Sequence, residues 1–213
     1  MQLKLIKNKN VKYFRAYIDE VYIGPVYYAD LKKAEIDIDF PGDEPDGNDQ
    51  NILKEISETF SDRLYSVIYS KAFDKYSAFL AGAEYSAYDI KLKMKRNNYS
   101  DEIINDVIEA LYAERYLDDK RYAESYIRYY SRTKSRELII RELEYKGVTG
   151  DWMNDLLNEV YTDESIERDE VIKNLIEKKY KGQDLSDEKV KRRVAAFLLR
   201  KGFSFSDINS YLT

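Results

Sequence analysis

Hydrophobic and polar positions change their spacing along the chain near residue 50. Before that point, short runs rich in β-branched and aromatic residues occupy residues 3–7, 13–18 and 21–27. Such runs, with Asp19-Glu20 as a turn, are typical of a small antiparallel meander. We therefore predict a small β-rich N-terminal module over residues 1–49, which the rest of the chain does not need in order to fold.

The second half of this module carries polar and turn-forming residues. A short helix is predicted near residues 28–35, and residues 36–40 alternate between apolar and acidic side chains as an edge strand does. Residues 41–49 combine Pro, Gly and Asn with a dense negative charge, which is typical of an exposed loop. From Gln50 onward apolar residues recur at helical spacing, so we predict continuous helical structure, beginning with a connecting helix over 50–70.

The helical part contains an internal repeat with a period of about 50 residues. Three segments, ending at Ser100, Thr149 and Ser204, share an apolar residue, a basic stretch, Gly or Asn, a second apolar residue and a hydroxyl residue. We interpret each as one helix ending and the next beginning, because Gly or Asn adopts the left-handed conformation after a helix and a hydroxyl caps the next one. We predict that Asn98, Gly147 and Gly202 are these left-handed residues.

Three helices accompany each turn. Upstream of every turn, two apolar residues four positions apart lie on one helix face, and Ser86 and Ser135 are N-cap candidates for two of these helices. A further helix precedes each unit. The predicted fold class is mainly α, with three tandem three-helix repeats in an elongated, curved array that follows the β-rich module. The repeats are predicted at residues 71–117, 118–165 and 166–213.

Composition excludes several kinds of chemistry. The 213 residues include no Cys and no His, which excludes disulfides, thiolate nucleophiles, histidine bases and the usual zinc ligands. The Asp and Glu residues lie at ordinary surface-helix positions, so we predict no catalytic residue, no metal site and no cofactor. The 21 tyrosines are expected to fill a thin helical layer with their rings. No apolar run approaches the roughly 20 residues that cross a bilayer, and we expect a cytoplasmic protein without a membrane partner.

Charge is distributed unevenly around a net value of -5. The middle helix of each repeat is rich in Lys and Arg, whereas the third helices of the first two repeats are acidic. A basic stripe of this kind either binds DNA phosphates or an acidic groove, or is a solvated face that complements helix C-termini. The candidate binding residues are Lys134, Arg136, Arg141, Lys146, Lys189, Lys191, Arg192, Arg193, Arg200 and Lys201. Weaker candidates in the first repeat are Lys91, Lys93, Lys95 and Arg96.

The start of the second repeat resembles a known family. Residues 116–126, Tyr-Leu-Asp-Asp-Lys-Arg-Tyr-Ala-Glu-Ser-Tyr, are similar to the Tyr-Leu-Asp-Asp-x-Arg-Phe-Ala-x-x-Tyr/Phe signature of the RecX family, which regulates the RecA recombinase. The turns near Gly147 and Gly202 are similar to the second and third repeat turns of that family, and residues 19–24 resemble the β extension of some members. One departure is the lack of a base before Ser86, where family members usually carry Arg; this weakens the electrostatic contact expected there.

The resemblance implies a regulatory protein and not an enzyme. Such a protein would bind the RecA recombinase–DNA filament and inhibit or modulate its ATPase, strand exchange and DNA-repair and SOS activity. DNA would be a partner as part of that filament and a weak one alone, and we expect a monomer. Two other functions stay open: a helical-repeat scaffold for other proteins and a stand-alone DNA-binding module. The signature residues also have a structural interpretation, with Asp118 as a helix cap and Tyr122 and Tyr126 as a core pair.

Overall fold

A computed structural model describes residues 1–8, 11–33 and 50–212. Within these ranges the chain is mainly helical, with an antiparallel sheet near its N-terminus, which confirms the predicted mainly α fold with a β-rich N-terminal part. It forms two compact units, Met1–Leu117 and Asp118–Thr213. The edge strand predicted at 36–40 and the loop predicted at 41–49 lie outside the described residues. No helix in the described ranges is long and apolar enough to span a bilayer.

The sheet of the first unit has the strand order β3-β2-β1-β4. Its strands are β1 Gln2–Lys7, β2 Phe14–Ile18, β3 Val21–Val26 and β4 Gln50–Glu55. Asp19 and Glu20 both have positive φ, 46° and 67°, which is the backbone of a tight two-residue hairpin. The predicted meander of β1, β2 and β3 is confirmed.

Strand β4 corrects the prediction of helix from Gln50 onward. It pairs with β1 over six residue pairs, from Gln2 opposite Glu55 to Lys7 opposite Gln50. Its side chains alternate in exposure, with Ile52 half-buried and Leu53 58% exposed. An edge strand is stabilised by backbone hydrogen bonds to a partner far away in sequence, and local apolar spacing does not reveal such a partner.

Four helices complete the first unit: α1 Tyr28–Lys33, α2 Glu58–Leu80, α3 Ala87–Arg96 and α4 Asp101–Ala113. Helix α1 is the short helix predicted near residues 28–35. Helix α2 joins most of the predicted connecting helix to the first helix of the first repeat, so the boundary expected at Lys71 falls inside one helix. The reason is a continuous buried stripe at i,i+4 spacing, formed by Leu64, Ile68, Ala72, Tyr76 and Leu80.

One hydrophobic core serves the whole first unit. Leu3, Leu5 and Phe14 of the sheet belong to the same buried cluster as Leu64 and Ile68 of α2. Gly24 of β3 permits a close approach here, because a Cβ at this position would lie 3.0 Å from Cγ2 of Ile68. The sheet and the first repeat therefore share their buried surface, and the β-rich module does not stand as a unit of its own.

The second unit contains six helices among its described residues. They are α5 Asp119–Tyr130, α6 Arg136–Tyr145, α7 Met153–Asp163, α8 Arg168–Tyr180, α9 Glu188–Arg200 and α10 Phe205–Asn209. All six contribute to a single core, which includes Ile127, Ile139, Val160, Ile172, Val194 and Ile208. Two three-helix repeats thus pack into one unit.

The three predicted turns are confirmed by their backbone geometry. Asn98, Gly147 and Gly202 have φ values of 62°, 75° and 89°, so each helix ends with a left-handed residue. Ser86 and Ser135 cap α3 and α6, each side chain accepting a hydrogen bond from the backbone N–H three residues on. Ser100 and Ser204 cap the third helices of the first and third repeats in the same way.

The third helix of the second repeat begins differently from the prediction. Thr149 does not cap it, because α7 starts only at Met153, after Trp152, and has no side-chain cap. A Cβ on Gly150 would lie 2.1 Å from Nε1 of Trp152, so the indole ring lies directly against this glycine. The helix therefore begins three residues later than a cap at Thr149 would give.

Candidate binding surface

Helix α9 carries the densest group of basic residues in the second unit. Its N-terminus is capped by Asp187, whose side chain accepts a hydrogen bond from the Lys189 backbone N–H at 2.6 Å. Its buried side is formed by Val190, Val194, Phe197 and Leu198. Because successive residues of a helix are about 100° apart, Lys189, Arg192, Arg193 and Arg200 fall within one arc of about 100° outside the buried side. We call these four residues the α9 basic face.

The α9 basic face is exposed and only lightly paired. Arg193 donates a hydrogen bond to Oε1 of Gln183 at 2.7 Å. No carboxylate of the described residues lies within 4.0 Å of Lys189, Arg192 or Arg200. Lys191 is not part of this face: it is half-buried, and its Nζ lies 3.7 Å from Glu188. The face therefore presents four positive charges to solvent, and no carboxylate of the described residues neutralises them.

Lys134, a candidate residue of the second repeat, makes its contacts inside the second unit. Lys134 Nζ lies 2.6 Å from Oε2 of Glu142 and 3.6 Å from the centre of the Tyr130 ring. Burial acts to raise the pKa of Glu142, but the hydrogen bonds from Lys134 and Tyr126 outweigh it and lower this pKa. Lys134 thus holds α5 and α6 together.

Arg136 is also held inside the second unit. Its guanidinium lies 4.0 Å from the centre of the Tyr161 ring, and its Nη1 donates to Oδ1 of Asn158 at 2.9 Å. Arg141, five residues further along α6, is exposed and turned away from it by about 140°. Lys146 of the second repeat and Lys201 of the third are half-buried. The bases of the second repeat therefore do not form one face.

A pocket of about 220 Å³ lies beside Lys134 and Arg136 and is also lined by Arg168. Arg168 pairs with Asp207 at 2.7 Å and with Glu137 at 3.6 Å. Lys134 and Arg168 each pair with a carboxylate, whereas Arg136 contacts the neutral Asn158 and Tyr161. The positive charge around this pocket is therefore partly neutralised from within the unit.

The weaker candidates of the first repeat divide in the same way. Lys91 and Arg96 are exposed. Lys93 Nζ lies 4.7 Å from the Phe79 ring centre, and Lys95 pairs with Asp101 at 3.0 Å. Two of the four bases thus contribute to the packing and charge balance of the first unit.

The signature residues at the start of the second repeat have the structural roles expected of them. Asp118 caps α5 by accepting a hydrogen bond from the Arg121 backbone N–H at 2.9 Å. Tyr122 is buried, and its ring centre lies 5.8 Å from that of Tyr126. Among the described residues, no three acidic side chains converge on a point that could hold a metal ion.

Arg128 is a residue that the sequence did not single out. It donates hydrogen bonds to Oε1 of Glu124 at 2.9 Å and to Oε1 of Glu164 at 3.1 Å, so it links α5 to the end of α7. The i,i+4 spacing to Glu124 was visible in the sequence. The longer-range contact to Glu164 depends on how the helices pack.

Family models match both repeats of the second unit. A model described as the second three-helix domain of RecX matches residues 118–157, and one described as its third three-helix domain matches residues 167–212. Together with the fold, these matches define a protein built from tandem three-helix domains.

Relatives with known names identify the family. A regulatory protein RecX of Bacillus velezensis is 29% identical over 208 residues, covering 97% of this chain and 73% of the relative. The RecX of Trichlorobacter lovleyi is 31% identical over 129 residues, covering 58% of this chain and 82% of the relative. A crystal structure of a regulatory protein RecX has the same fold, with a TM-score of 0.52, 21% identity and 97% coverage of both chains. This chain belongs to the RecX family, whose members are named as regulatory proteins.

Proposed function

We propose that this protein binds the filament that the RecA recombinase forms on DNA and lowers its ATPase and strand-exchange activity. Family membership supports a regulatory role. The observation that carries the binding mode is the α9 basic face, Lys189, Arg192, Arg193 and Arg200, which lies exposed on the middle helix of the third repeat. A nucleoprotein filament offers such a face phosphates and acidic side chains.

The α9 basic face suits a contact that depends on long-range attraction. Lys and Arg side chains that neutralise phosphates release bound counterions, so their contribution falls as salt concentration rises. Because Arg pairs with phosphate and carboxylate oxygens through two parallel N–H groups, three arginines on one face also favour a defined docking position. Several weak contacts made to one filament add up through effective concentration.

The direct experiment measures DNA-dependent ATP hydrolysis and strand exchange by RecA with and without this protein. We expect both rates to fall with increasing protein concentration. Unchanged rates at saturating protein would rule out the proposed function and leave the helical-repeat scaffold for other proteins.

The matching variant reverses charge on the α9 basic face. Lys189, Arg192 and Arg193 are changed together to Glu, and we expect inhibition to require at least about tenfold more protein and to depend less on salt. The matched control reverses Lys173, Lys178 and Lys181, which are exposed bases at α8 and its C-terminal end in the same unit. Equal loss in both triple variants would mean that only overall charge matters.

A stand-alone DNA-binding module is the second candidate, since the same α9 basic face would also attract free DNA. It predicts tight, salt-dependent binding of DNA in the absence of recombinase. Fluorescence anisotropy with labelled single- and double-stranded DNA, with and without RecA, separates the two functions. Our proposal expects RecA to increase the affinity for the DNA complex.

A further inference from the structure

A groove lies between α2 and α4 in the first unit, and its chemistry is opposite to that of the α9 basic face. It is open to solvent and has a volume of about 470 Å³. Helix α2 contributes Tyr65, Ser66 and Tyr69, and helix α4 contributes Asp106, Glu109, Ala110 and Ala113. The short side chains of Ser66, Ala110 and Ala113 leave room between their larger neighbours. We call this feature the α2–α4 groove.

Aromatic rings form one wall of the α2–α4 groove and extend beyond it. Tyr65 and Tyr69 are half-buried. The Tyr69 ring is nearly parallel to that of Phe73, with centres 6.3 Å apart, and Phe73 meets the edge of the Tyr116 ring at 6.1 Å. These contacts fix the rings in place. Because the face of an aromatic ring carries negative charge density, such a wall attracts cations.

Carboxylates form the other wall. Oδ2 of Asp106 accepts a hydrogen bond from the Tyr65 hydroxyl at 2.6 Å, which orients the carboxylate. Glu109 lies one turn further along α4, is exposed, and makes no ion pair with the described residues. Helix α4 contains Asp101, Glu102, Asp106 and Glu109 but no Lys or Arg. No described basic residue lines the groove.

We propose that the α2–α4 groove binds an arginine side chain presented by a basic segment of a protein partner. A guanidinium is planar, so it stacks on an aromatic face while its edge donates hydrogen bonds to carboxylates. Tyr69 provides the face, and Asp106 and Glu109 provide the acceptors. Lysine fits less well, because its compact, strongly hydrated ammonium does not stack, and nucleic acid is repelled by the two carboxylates.

The proposal does not depend on the filament-binding function, since the groove and the α9 basic face belong to different units and attract opposite charges. The test is an NMR titration of the full ¹⁵N-labelled chain with a capped peptide of four Gly-Arg repeats. The matching Gly-Lys and Gly-Glu peptides are the ligand controls. We expect saturable shifts centred on Tyr65, Tyr69, Asp106, Glu109 and Ala110, weaker binding of the lysine peptide, and no binding of the glutamate peptide.

Two variants test the two walls separately. Glu109→Gln removes one charged acceptor at an exposed position, and Tyr69→Leu removes the stacking face. Each variant is expected to lower the affinity for the arginine peptide about tenfold. The control is Glu159→Gln, an exposed acidic residue of α7 in the second unit. Shifts spread evenly over all acidic helices, equal affinity for lysine and arginine peptides, or equal effects of Glu109→Gln and Glu159→Gln would each overturn the proposal.

Discussion

The turn of the first repeat and the turn of the third repeat have the same backbone but dock on different partners. In the first unit, the Tyr22 hydroxyl donates to the Asn98 carbonyl, and the Ser100 hydroxyl donates to the Ile23 carbonyl at 2.8 Å. In the second unit, the Ser135 hydroxyl donates to the Gly202 carbonyl at 2.8 Å. The turn of the first repeat packs on the β-sheet, and the turn of the third repeat packs on the N-terminus of α6.

This difference shows what a three-helix repeat needs from its neighbour. In both units a hydroxyl from outside the repeat satisfies the carbonyl of the left-handed residue, which the helix itself leaves unpaired. The sheet thus does for the first repeat what the second repeat does for the third. It resembles the terminal caps that protect the ends of repeat proteins.

The residue type at each turn is explained by the atoms that surround it. A Cβ at Gly202 would lie 2.4 Å from Cβ of Leu138 and 2.6 Å from Oγ of Ser135, so only glycine fits. Asn98 meets the sheet with its side chain, because its Nδ2 donates to the Tyr13 hydroxyl at 2.8 Å. Asparagine in the first repeat is therefore a contact residue as well as a tolerated left-handed one.

The largest expected effect comes from removing the sheet. Deleting residues 1–55 exposes the apolar side of α2 and leaves the first repeat without its partner, so we expect the first unit to lose cooperative unfolding. The second unit should still unfold cooperatively. Urea denaturation followed by circular dichroism, compared with residues 118–213 alone, measures this. Unfolding of the truncated chain as sharp as that of the full chain would instead support the dispensable N-terminal module predicted from sequence.

The next largest effect is a difference in the stability lost when glycine is replaced at two turns of the second unit. Gly202→Ala should reduce the free energy of unfolding by about 3 kcal/mol, because it combines a left-handed backbone with a steric clash. Gly147→Ala should cost only about 1 kcal/mol, since φ is 75° but nothing lies within 4 Å of the added Cβ. Thermal or urea unfolding of the two variants gives the comparison. Similar losses would mean that backbone conformation alone governs both positions.

A smaller effect is expected from the hydroxyl that docks the first turn. Tyr22→Phe leaves the Asn98 carbonyl without its tyrosine donor and should cost about 1 kcal/mol. Burial raises the pKa of Tyr22, so the hydroxyl stays protonated and able to donate. Tyr17→Phe is the control, because this ring lies 5.2 Å from that of Tyr22 and its hydroxyl makes no hydrogen bond with the described residues.

The smallest effect is a pH dependence confined to the second unit. The pKa of Glu142 is lowered in the folded protein, so its contribution is present above the unfolded pKa of about 4.3 and is lost as pH falls through the lower folded value. Glu142→Gln should flatten the decline in stability of the second unit below about pH 4.3. Urea midpoints measured between neutral and acid pH, with Glu144→Gln as an exposed control on the same helix, test it.

The sequence predicted those features that depend on local chemistry. The left-handed turns at Asn98, Gly147 and Gly202 and the serine caps follow from residue type and spacing within a few positions. Strand β4 was missed because its partner, β1, lies about 45 residues away along the chain and only the paired backbone reveals it. The late start of α7 was missed because residue type suggested a cap at Thr149, whereas the helix begins after Trp152 without a side-chain cap.

The candidate binding surface was predicted less completely than the fold. Counting bases located α9, but it did not distinguish Lys191, which is half-buried, from Arg192 and Arg193, which are exposed. Lys134 and Arg136 also appeared equivalent to these arginines. Their internal partners, Glu142 of α6 and Asn158 of α7, are selected only by tertiary packing.

Helix α2 has a consequence for how the first unit opens. Its 23 residues carry a single buried stripe from Leu64 to Leu80, in the core that the sheet and the first repeat share. Local fraying at the edge of either neighbour uncovers only part of that stripe, so the central amide protons of α2 become accessible to solvent only when the whole unit opens. In hydrogen exchange these amides should form one group with a common protection factor, and β1 should exchange with them.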